Sequence, residues 1–429
     1  MMINKIFQRK TRKNIQDLLA FMKKSQYWPI ERMVEYQKNK LQKLLFYCHK
    51  NVPYYRELFQ KIPLKEDELF EDDAISRIPV LTKSNVQEHF EHLISTAVVK
   101  EDLYLNSTGG STGNPLNFYQ DREYSDWRGA AAIRAWKDFV GCREDALEAI
   151  VWGAERDIGK GLNLKKVVYH WARENLLPLN TFDLDDDIIR KYFFYYNLMK
   201  PKILRGYASS LFYLANYMIE KKIDVFPPKA IISSAEMLWP EMRQVIESAF
   251  KAKVFDSYGC REVSQIATEC EKHDGLHIVM ENQYVELIDH QILVTNLNNY
   301  AMPLLRYQVG DIAEELIYEP CACGRSSWRL SGLKGRESEV IVLPDGKTIH
   351  GEYFTHLFYG RFSVKEFSLE YRKSRNELTI KCDDMAKDDE NRIVKIIKSD
   401  FQIDDIKIRR DLKRDKMVSG KYKFINVIE

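Results

Sequence analysis

Between positions 31 and 59, apolar residues recur three and four apart (Met33, Tyr36, Leu41, Leu44, Leu45, Cys48). That spacing collects them on one face of a helix, and the run Asn51-Val-Pro-Tyr-Tyr breaks it. Residues 78–83 (Ile-Pro-Val-Leu-Thr-Lys) predict a short extended piece leading into a helix start, and residues 121–140, rich in Ala and Trp, predict a long helix. Short apolar runs and amphipathic stretches then alternate. Strands are predicted at 149–153, 203–206, 230–234 and 253–257, and helices at 185–199, 209–221 and 241–250. This alternation predicts an α/β fold with helices packed on mostly parallel sheets. After about Val340 the pattern changes: strands at 364–372 and 377–382 flank the turn 373–376, followed by a charged helix at 388–399 and a strand at 406–410. The expected division is a large N-terminal domain over 1–335, with a helical lead-in over 1–60, and a small α+β C-terminal domain over 336–429.

A chain of 429 residues, 45% hydrophobic and 30% charged, is long enough for two or three domains with sizeable cores. A net charge of +2 supplies no basic field for nucleic acid. No apolar run approaches the roughly 18 residues that span a bilayer. The basic start, residues 1–24, is read as a docked helix with a solvated basic face, the alternative being an amphipathic helix on a membrane surface. Seven Cys without a signal-like start point to a reducing compartment, hence the cytoplasm.

Candidate chemistry begins at Asn106-Ser-Thr-Gly-Gly-Ser-Thr-Gly-Asn-Pro115. Small polar residues expose backbone N–H groups and hydroxyls, as an anion-wrapping loop requires; a flexible linker is the alternative. Apolar segments on both sides favour a turn between strands. No Lys follows Gly113, so this is not the phosphate loop of ordinary ATPases. Phe255-Asp-Ser-Tyr-Gly-Cys-Arg-Glu262 follows a strand, where an α/β sheet keeps its ligand. There Tyr258 could stack on a base and Glu262 hold Mg2+, or the stretch is a turn with a solvated Glu. Asp311, just after Gly310, suits two ribose hydroxyls, the alternatives being a helix cap or an ion pair to Arg306. Gly332-Leu-Lys-Gly-Arg-Glu337 suits a hinge, and Lys421 is a lone cation near the C-terminus. Arg205 could meet a second anionic group on a substrate or form a structural ion pair. Cys321-Ala-Cys323, with Cys270 and His273 or His277 upstream, offers a tetrahedral zinc set, the alternative being free buried thiols. Cys48, Cys142 and Cys382 fall within apolar patterns and are read as core.

Taken in order, Ser107–Gly113, Glu236, Tyr258–Glu262, Arg306–Asp311, Gly335-Arg336 and Gly420-Lys421 resemble the motifs of the adenylate-forming (acyl-CoA synthetase-like) superfamily. The branch they resemble is that of the phenylacetate–CoA ligases, and within it the CapK-type capsule-biosynthesis proteins. The lead-in (Trp28, Tyr36-Gln37, residues 41–45, Val52-Pro-Tyr-Tyr55 and residues 78–83) matches too, so the resemblance runs over essentially the whole chain.

The resemblance implies that Mg-ATP activates a carboxylic acid to an acyl-adenylate with release of pyrophosphate, and that the acyl group then passes to CoA or another acceptor. It implies that Ser107, Thr108, Gly109, Gly110, Ser111, Thr112 and Gly113 grip the β- and γ-phosphates. Ser234, Ala235 and Glu236 would line the adenine pocket with Asp256, Tyr258 and Gly259, while Glu262 would bind Mg2+ and Asp311 the ribose. Arg336 would meet ribose or phosphate, and Lys421, on a mobile C-terminal lid, would reach the carboxylate and α-phosphate. Relatives with a Cys–His–Cys–Cys zinc site point to Cys270, His277, Cys321 and Cys323, and His277 in Gly-Leu-His fits that layout better than His273. Two positions depart from the pattern: Arg261 where many members have Thr, and Ser338 in place of the hinge acid. The expected partners are thus a small acid, CoA or another acyl acceptor, and a second copy of the chain as a homodimer. Alternatives are acyl transfer to a sugar or polysaccharide amine or hydroxyl, and a catalytically silent scaffold in polysaccharide assembly.

Overall fold

The computed structural model describes residues 2–108, 116–152, 164–180, 186–336, 340–345, 348–350, 353–354, 357–358, 362, 364, 367–382, 385–410 and 425–428. Two compact units emerge, one made of Met1–Asp145 with Phe255–Leu333, the other of Ala146–Val254 with Lys334–Glu429.

In the first unit the lead-in is helical, as the periodicity requires. Helix Ile30–Asn51 buries Met33, Leu41, Leu44, Leu45 and Cys48. The helix predicted through 59 is two helices. Val52 is extended (φ −115°), and Pro53, which has no N–H to donate, opens helix Pro53–Lys61 at its first position. Tyr55 is fully buried there and both donates to the Pro303 carbonyl (3.0 Å) and accepts from the Leu305 amide (2.9 Å). The preceding helix, Met2–Ser25, packs Leu19 and Met22 against Trp127, Ala130 and Ala131. Its end is anchored by Arg134, which donates to the Met22 carbonyl (3.1 Å) and grips Glu281 with both terminal nitrogens (2.7 and 3.0 Å). Both charged side chains are at most 4% exposed, so removing either leaves an unpaired buried charge, a loss of about 3–5 kcal/mol. The long helix predicted over 121–140 starts at an Asp121 cap and runs as α-helix Arg122–Ile133. Arg134–Asp138 then widens into a π-turn at the point where Arg134 reaches Glu281.

The strands of this unit are antiparallel. One row runs Glu315–Ile317, Arg329–Ser331, Leu276–Ile278, Ser264–Glu269 and then strand Val254–Cys260. A second sheet joins Gln283–Ile288, Gln291–Asn296 and Tyr307–Ile312. Tyr104–Ser107 and Asn117–Gln120 form a separate hairpin.

Three of the strands predicted from the alternation lie in the second unit as a parallel set, Glu148–Trp152, Ile203–Gly206 and Ala230–Ser234. Strand Leu176–Asn180, which the sequence reading did not anticipate, joins them beside Glu148–Trp152. Helices Asp186–Met199, Ala208–Lys221 and Pro240–Phe250 bury Ile189, Tyr192, Leu211, Leu214, Met242 and Ile246 in a core shared with these strands. Their bounds fall within one or two residues of the predicted ones. The C-terminal stretch forms its own four-stranded sheet, ordered Asp405–Arg409, Glu377–Lys381, Ser368–Arg372, Ile425–Ile428. Helix Lys387–Asp400 contributes Ile393 and Ile397 to the core of this sheet. No helix among the described residues is long and apolar enough to cross a membrane.

Candidate active site and a cysteine–histidine cluster

The Tyr-Gly stretch sits on strand Val254–Cys260, which turns back through 261–263 into strand Ser264–Glu269. Register slips between Tyr258 and Gly259, and Ser264 closes the turn at φ +68°. This is a three-residue hairpin with a left-handed closing residue. Gly259 is required by close approach, since a Cβ there would stand 2.4 Å from the Ser264 carbonyl oxygen. Gly259→Ala is therefore expected to force the turn open and cost about 1–3 kcal/mol, which chemical denaturation would measure. A stability within 0.5 kcal/mol of the parent would show that the turn yields freely.

The turn and the Arg306–Asp311 motif converge. Tyr258, only 8% exposed, donates its hydroxyl to Asp311 Oδ2 at 2.9 Å. Tyr307 donates to Glu262 Oε1 at 3.1 Å, and the Tyr124 hydroxyl lies 3.5 Å from the Glu262 carbonyl. Tyr307 and Tyr124 were not singled out in the sequence; Tyr307 stands inside a quoted motif, and only the fold shows that it meets Glu262. The alternative pairing of Asp311 with Arg306 is not formed. Arg306 pairs instead with Glu286 (3.1 Å) and donates to the carbonyls of Ser76 (3.0 Å) and Ile78 (2.5 Å). Those bonds hold Arg306 in the left-handed region at φ +50°, a conformation that costs about 1–3 kcal/mol. The segment 78–83 arrives beside it, with the Leu81 amide on the Arg306 carbonyl (3.1 Å) and the Gln308 amide on the Leu81 carbonyl (3.0 Å).

The root of the glycine-rich loop is a strand hairpin, as its apolar flanks predict. Thr108 donates its amide to the Leu116 carbonyl (2.9 Å), and the Leu116 amide donates to Thr108 Oγ1 (2.8 Å). The Ser107 amide is held by Asn106 Oδ1 (2.8 Å), and its carbonyl accepts from Arg261 (3.0 Å). Gly109, Gly110, Ser111, Thr112, Gly113 and Lys421 lie outside the described residues, as does the side chain of Arg336, whose backbone forms a short strand with Gly335. Asp256 accepts from the Ser257 amide (2.9 Å), and its own amide donates to Glu269 (2.9 Å).

In the second unit, Ser234 ends a parallel strand and Ala235 turns at φ +69°. Glu236 then accepts from the Ser209 amide (2.9 Å) at the start of helix Ala208–Lys221, where the helix dipole favours a carboxylate. Trp152 and Tyr207, at the carboxyl ends of their strands, pack with ring centroids 4.3 Å apart and planes tilted by 38°. Arg205 forms the structural ion pair, to Glu148 at 2.5 Å with both side chains at most 12% exposed.

The first unit also holds a compact donor set. Cys270, His277, Cys321 and Cys323 place one ligand atom each within 4.8 Å of all the others. A tetrahedral zinc with Zn–S of about 2.3 Å and Zn–N of about 2.0 Å sets neighbouring S···S at about 3.8 Å and S···N at about 3.5 Å. Cys270 Sγ to Cys321 Sγ is 3.8 Å and Cys323 Sγ to His277 Nε2 is 3.4 Å, so the residues fit such an ion. The amides of Lys272 and Arg325 point at Cys270 and Cys323 Sγ, each at 3.4 Å. Ser327 Oγ, 2.9 Å from His277 Nδ1, orients the ring. Burial, helped by the cations of Arg325, Arg329 and Arg134, pushes the His277 pKa down to about 4 and keeps the imidazole neutral. Burial pushes the Cys270 thiol up to about 12. At Cys323 burial is outweighed by hydrogen bonds from the Arg325 amide and side chain and from Cys321, with the Arg325 charge, which together hold the thiol below its usual range. His273, the other sequence candidate, bonds to Glu269 (3.2 Å) and is not in the set. Cys48 and Cys382 are buried, and Cys142 is half-buried.

No family model matches the chain. Protein CapK of Staphylococcus aureus is 28% identical over 316 residues, covering 72% of this chain and 69% of that protein. The phenylacetate-coenzyme A ligase of Thermus thermophilus is 23% identical over 335 residues, 73% of each chain. Among solved structures, 2-hydroxyisobutyryl-CoA ligase in the postadenylation state, in complex with R3-HIB-AMP, superposes with a TM-score of 0.70. The match covers 91% of this chain and 89% of that one at 17% identity, a likeness of fold.

Proposed function

Because the chain is a homologue of CapK and of the phenylacetate–CoA ligases and carries the adenylate-forming ligase fold, we propose that it is an AMP-forming ligase that activates a carboxylic acid and passes the acyl group to CoA. One observation carries the proposal most directly. Motifs separated by up to 154 residues are joined by single hydrogen bonds: Tyr258 to Asp311, Tyr307 to Glu262, and Arg261 to Ser107. Ribose, metal and phosphate functions then fall on adjoining pieces of one unit.

In this reading the acid's carboxylate oxygen attacks the α-phosphorus, and the bond to pyrophosphate breaks. A thiol then attacks the acyl carbon, and AMP leaves. Asp311, oriented by Tyr258, receives the ribose hydroxyls, and Glu262, oriented by Tyr307, holds the Mg2+ that accompanies the phosphates. The hairpin root at Ser107 and Thr108 presents the glycine-rich loop to the phosphates. Glu236 and Ser234 serve the adenine, and Trp152 and Tyr207, at the carboxyl ends of parallel strands, form an aromatic wall for the acid. Residues 336–429 act as the lid carrying Lys421. Cys270, His277, Cys321 and Cys323 hold a structural zinc, with no part in the chemical steps. Seven free cysteines suit a reducing, cytoplasmic setting.

Acid-dependent exchange of pyrophosphate into ATP, measured over aromatic, amino and hydroxy acids with Mg2+, tests the proposal. Exchange with at least one acid is expected, and none across the panel would count against adenylation. Ser338 at the hinge position favours a second reading, in which the acyl acceptor is a sugar amine or hydroxyl of a surface polysaccharide. Consumption of CoA in step with AMP release distinguishes the two.

A further inference from the structure

Arg261 stands beside Glu262 at the start of the turn 261–263 and has no role in the mechanism above. It is exposed. Its Nη1 donates to the carbonyl of Ser107 at 3.0 Å, the last residue of the strand that enters the glycine-rich loop. Its own carbonyl accepts from Gln120 Nε2 at 3.1 Å, and Gln120 Oε1 accepts from Asn106 Nδ2 at 3.3 Å. Gln120 closes the returning strand and pairs with Tyr104 in the hairpin register. One residue thus ties the turn that carries Glu262 to both strands of the hairpin.

A carbonyl tie alone does not call for a guanidinium. Five N–H donors are available in a planar fork suited to two oxygens of one phosphate or carboxylate. Among the described residues a single one is spent, on Ser107, and no carboxylate forms an ion pair with Arg261. The buried arginines of this unit each have an acid partner: Arg134 has Glu281, Arg306 has Glu286, Arg325 has Glu271 and Arg329 has Asp274. The exposed Arg56 donates to the Lys50 carbonyl and the exposed Arg32 lies over the Trp28 ring; Arg261 differs from these two in standing at the hairpin root beside Glu262. A cation fixed at the root of an anion-wrapping loop, next to the expected metal ligand, is matched by an anion brought by the ligand.

We propose that Arg261 is a nucleotide-site residue that fixes the hairpin root to the Glu262 turn and contacts the polyphosphate of the nucleoside triphosphate through its remaining N–H donors. The identity of that ligand rests on the adenylation reading. The contact is specific to the phosphates beyond the α position, because the hairpin root serves the pyrophosphate portion while Asp311 serves the ribose.

Titration calorimetry with Mg-ATP and with AMP, on the full chain and on Arg261→Gln and Arg261→Lys, tests this. A charge-assisted contact of about 1.5–3 kcal/mol corresponds to roughly 10- to 100-fold in affinity. Arg261→Gln is expected to weaken Mg-ATP by that factor while AMP changes less than threefold. Arg261→Lys should recover part of the loss, since an ammonium restores charge but not the fork. Equal weakening of ATP and AMP would reduce Arg261 to a structural tie, and unchanged ATP binding in Arg261→Gln would overturn the inference alone. Failure of the parent chain to bind Mg-ATP would overturn the adenylation reading and this inference with it.

Discussion

Lys421→Ala is expected to slow acid-dependent ATP–pyrophosphate exchange by roughly 10²–10³-fold, with Mg-ATP affinity changed by less than tenfold. The reason is charge. A carboxylate attacking an α-phosphate brings two anions together, and negative charge builds on the equatorial oxygens as the new bond forms. A fixed cation aimed at those oxygens interacts more strongly with the transition state than with bound ATP, so its loss appears in rate rather than in binding. Exchange kinetics at saturating acid, paired with calorimetric titration of Mg-ATP, separate the two quantities. Exchange within fivefold of the parent would remove Lys421 from the reacting centre. A loss shared equally between rate and binding would make it an ordinary phosphate contact.

The second large effect is expected at the cysteine–histidine cluster. Purified chain should carry about one zinc per molecule by elemental analysis, and Cys321→Ser should carry almost none. Binding to the folded state alone stabilises by about 4 kcal/mol when free metal stands a thousandfold above its Kd. For a unit of this size that corresponds to a fall in Tm of roughly 8–16 °C in the variant. Cys142→Ser, outside the set, should keep both its metal and its Tm. Because the four donors sit on strand Leu276–Ile278 and the flanking segments, their disengagement would loosen the neighbouring row of strands rather than the Tyr258–Asp311 pair directly. A zinc-free parent whose melting is unaffected by a strong chelator would show the cluster to be a set of buried thiols.

Sequence alone determined the elements whose signal is local. The alternation of helices and strands between 149 and 254 follows from side-chain periods of 3.6 and 2, and the second unit reproduces it to within a residue or two over most of its length. The hairpin at the root of the glycine-rich loop and the break at Val52-Pro53 were legible for the same reason: each depends on residues next to one another. The antiparallel rows of the first unit were not legible. Strands such as Leu276–Ile278 and Arg329–Ser331 are three residues long, too short to show a period. Only tertiary structure decided which partner each ambiguous side chain took. Arg306 chose Glu286 over Asp311, Arg205 chose Glu148 over an outside anion, and Cys323 found His277 rather than His273. These choices are made between residues from 20 to more than 50 positions apart, where chain distance carries no information and the desolvation cost of an unpaired charge does. The same holds for Arg261. Its sequence neighbours place it beside Glu262, but only the folded chain puts it on Ser107, 154 positions away, without an acid partner among the described residues.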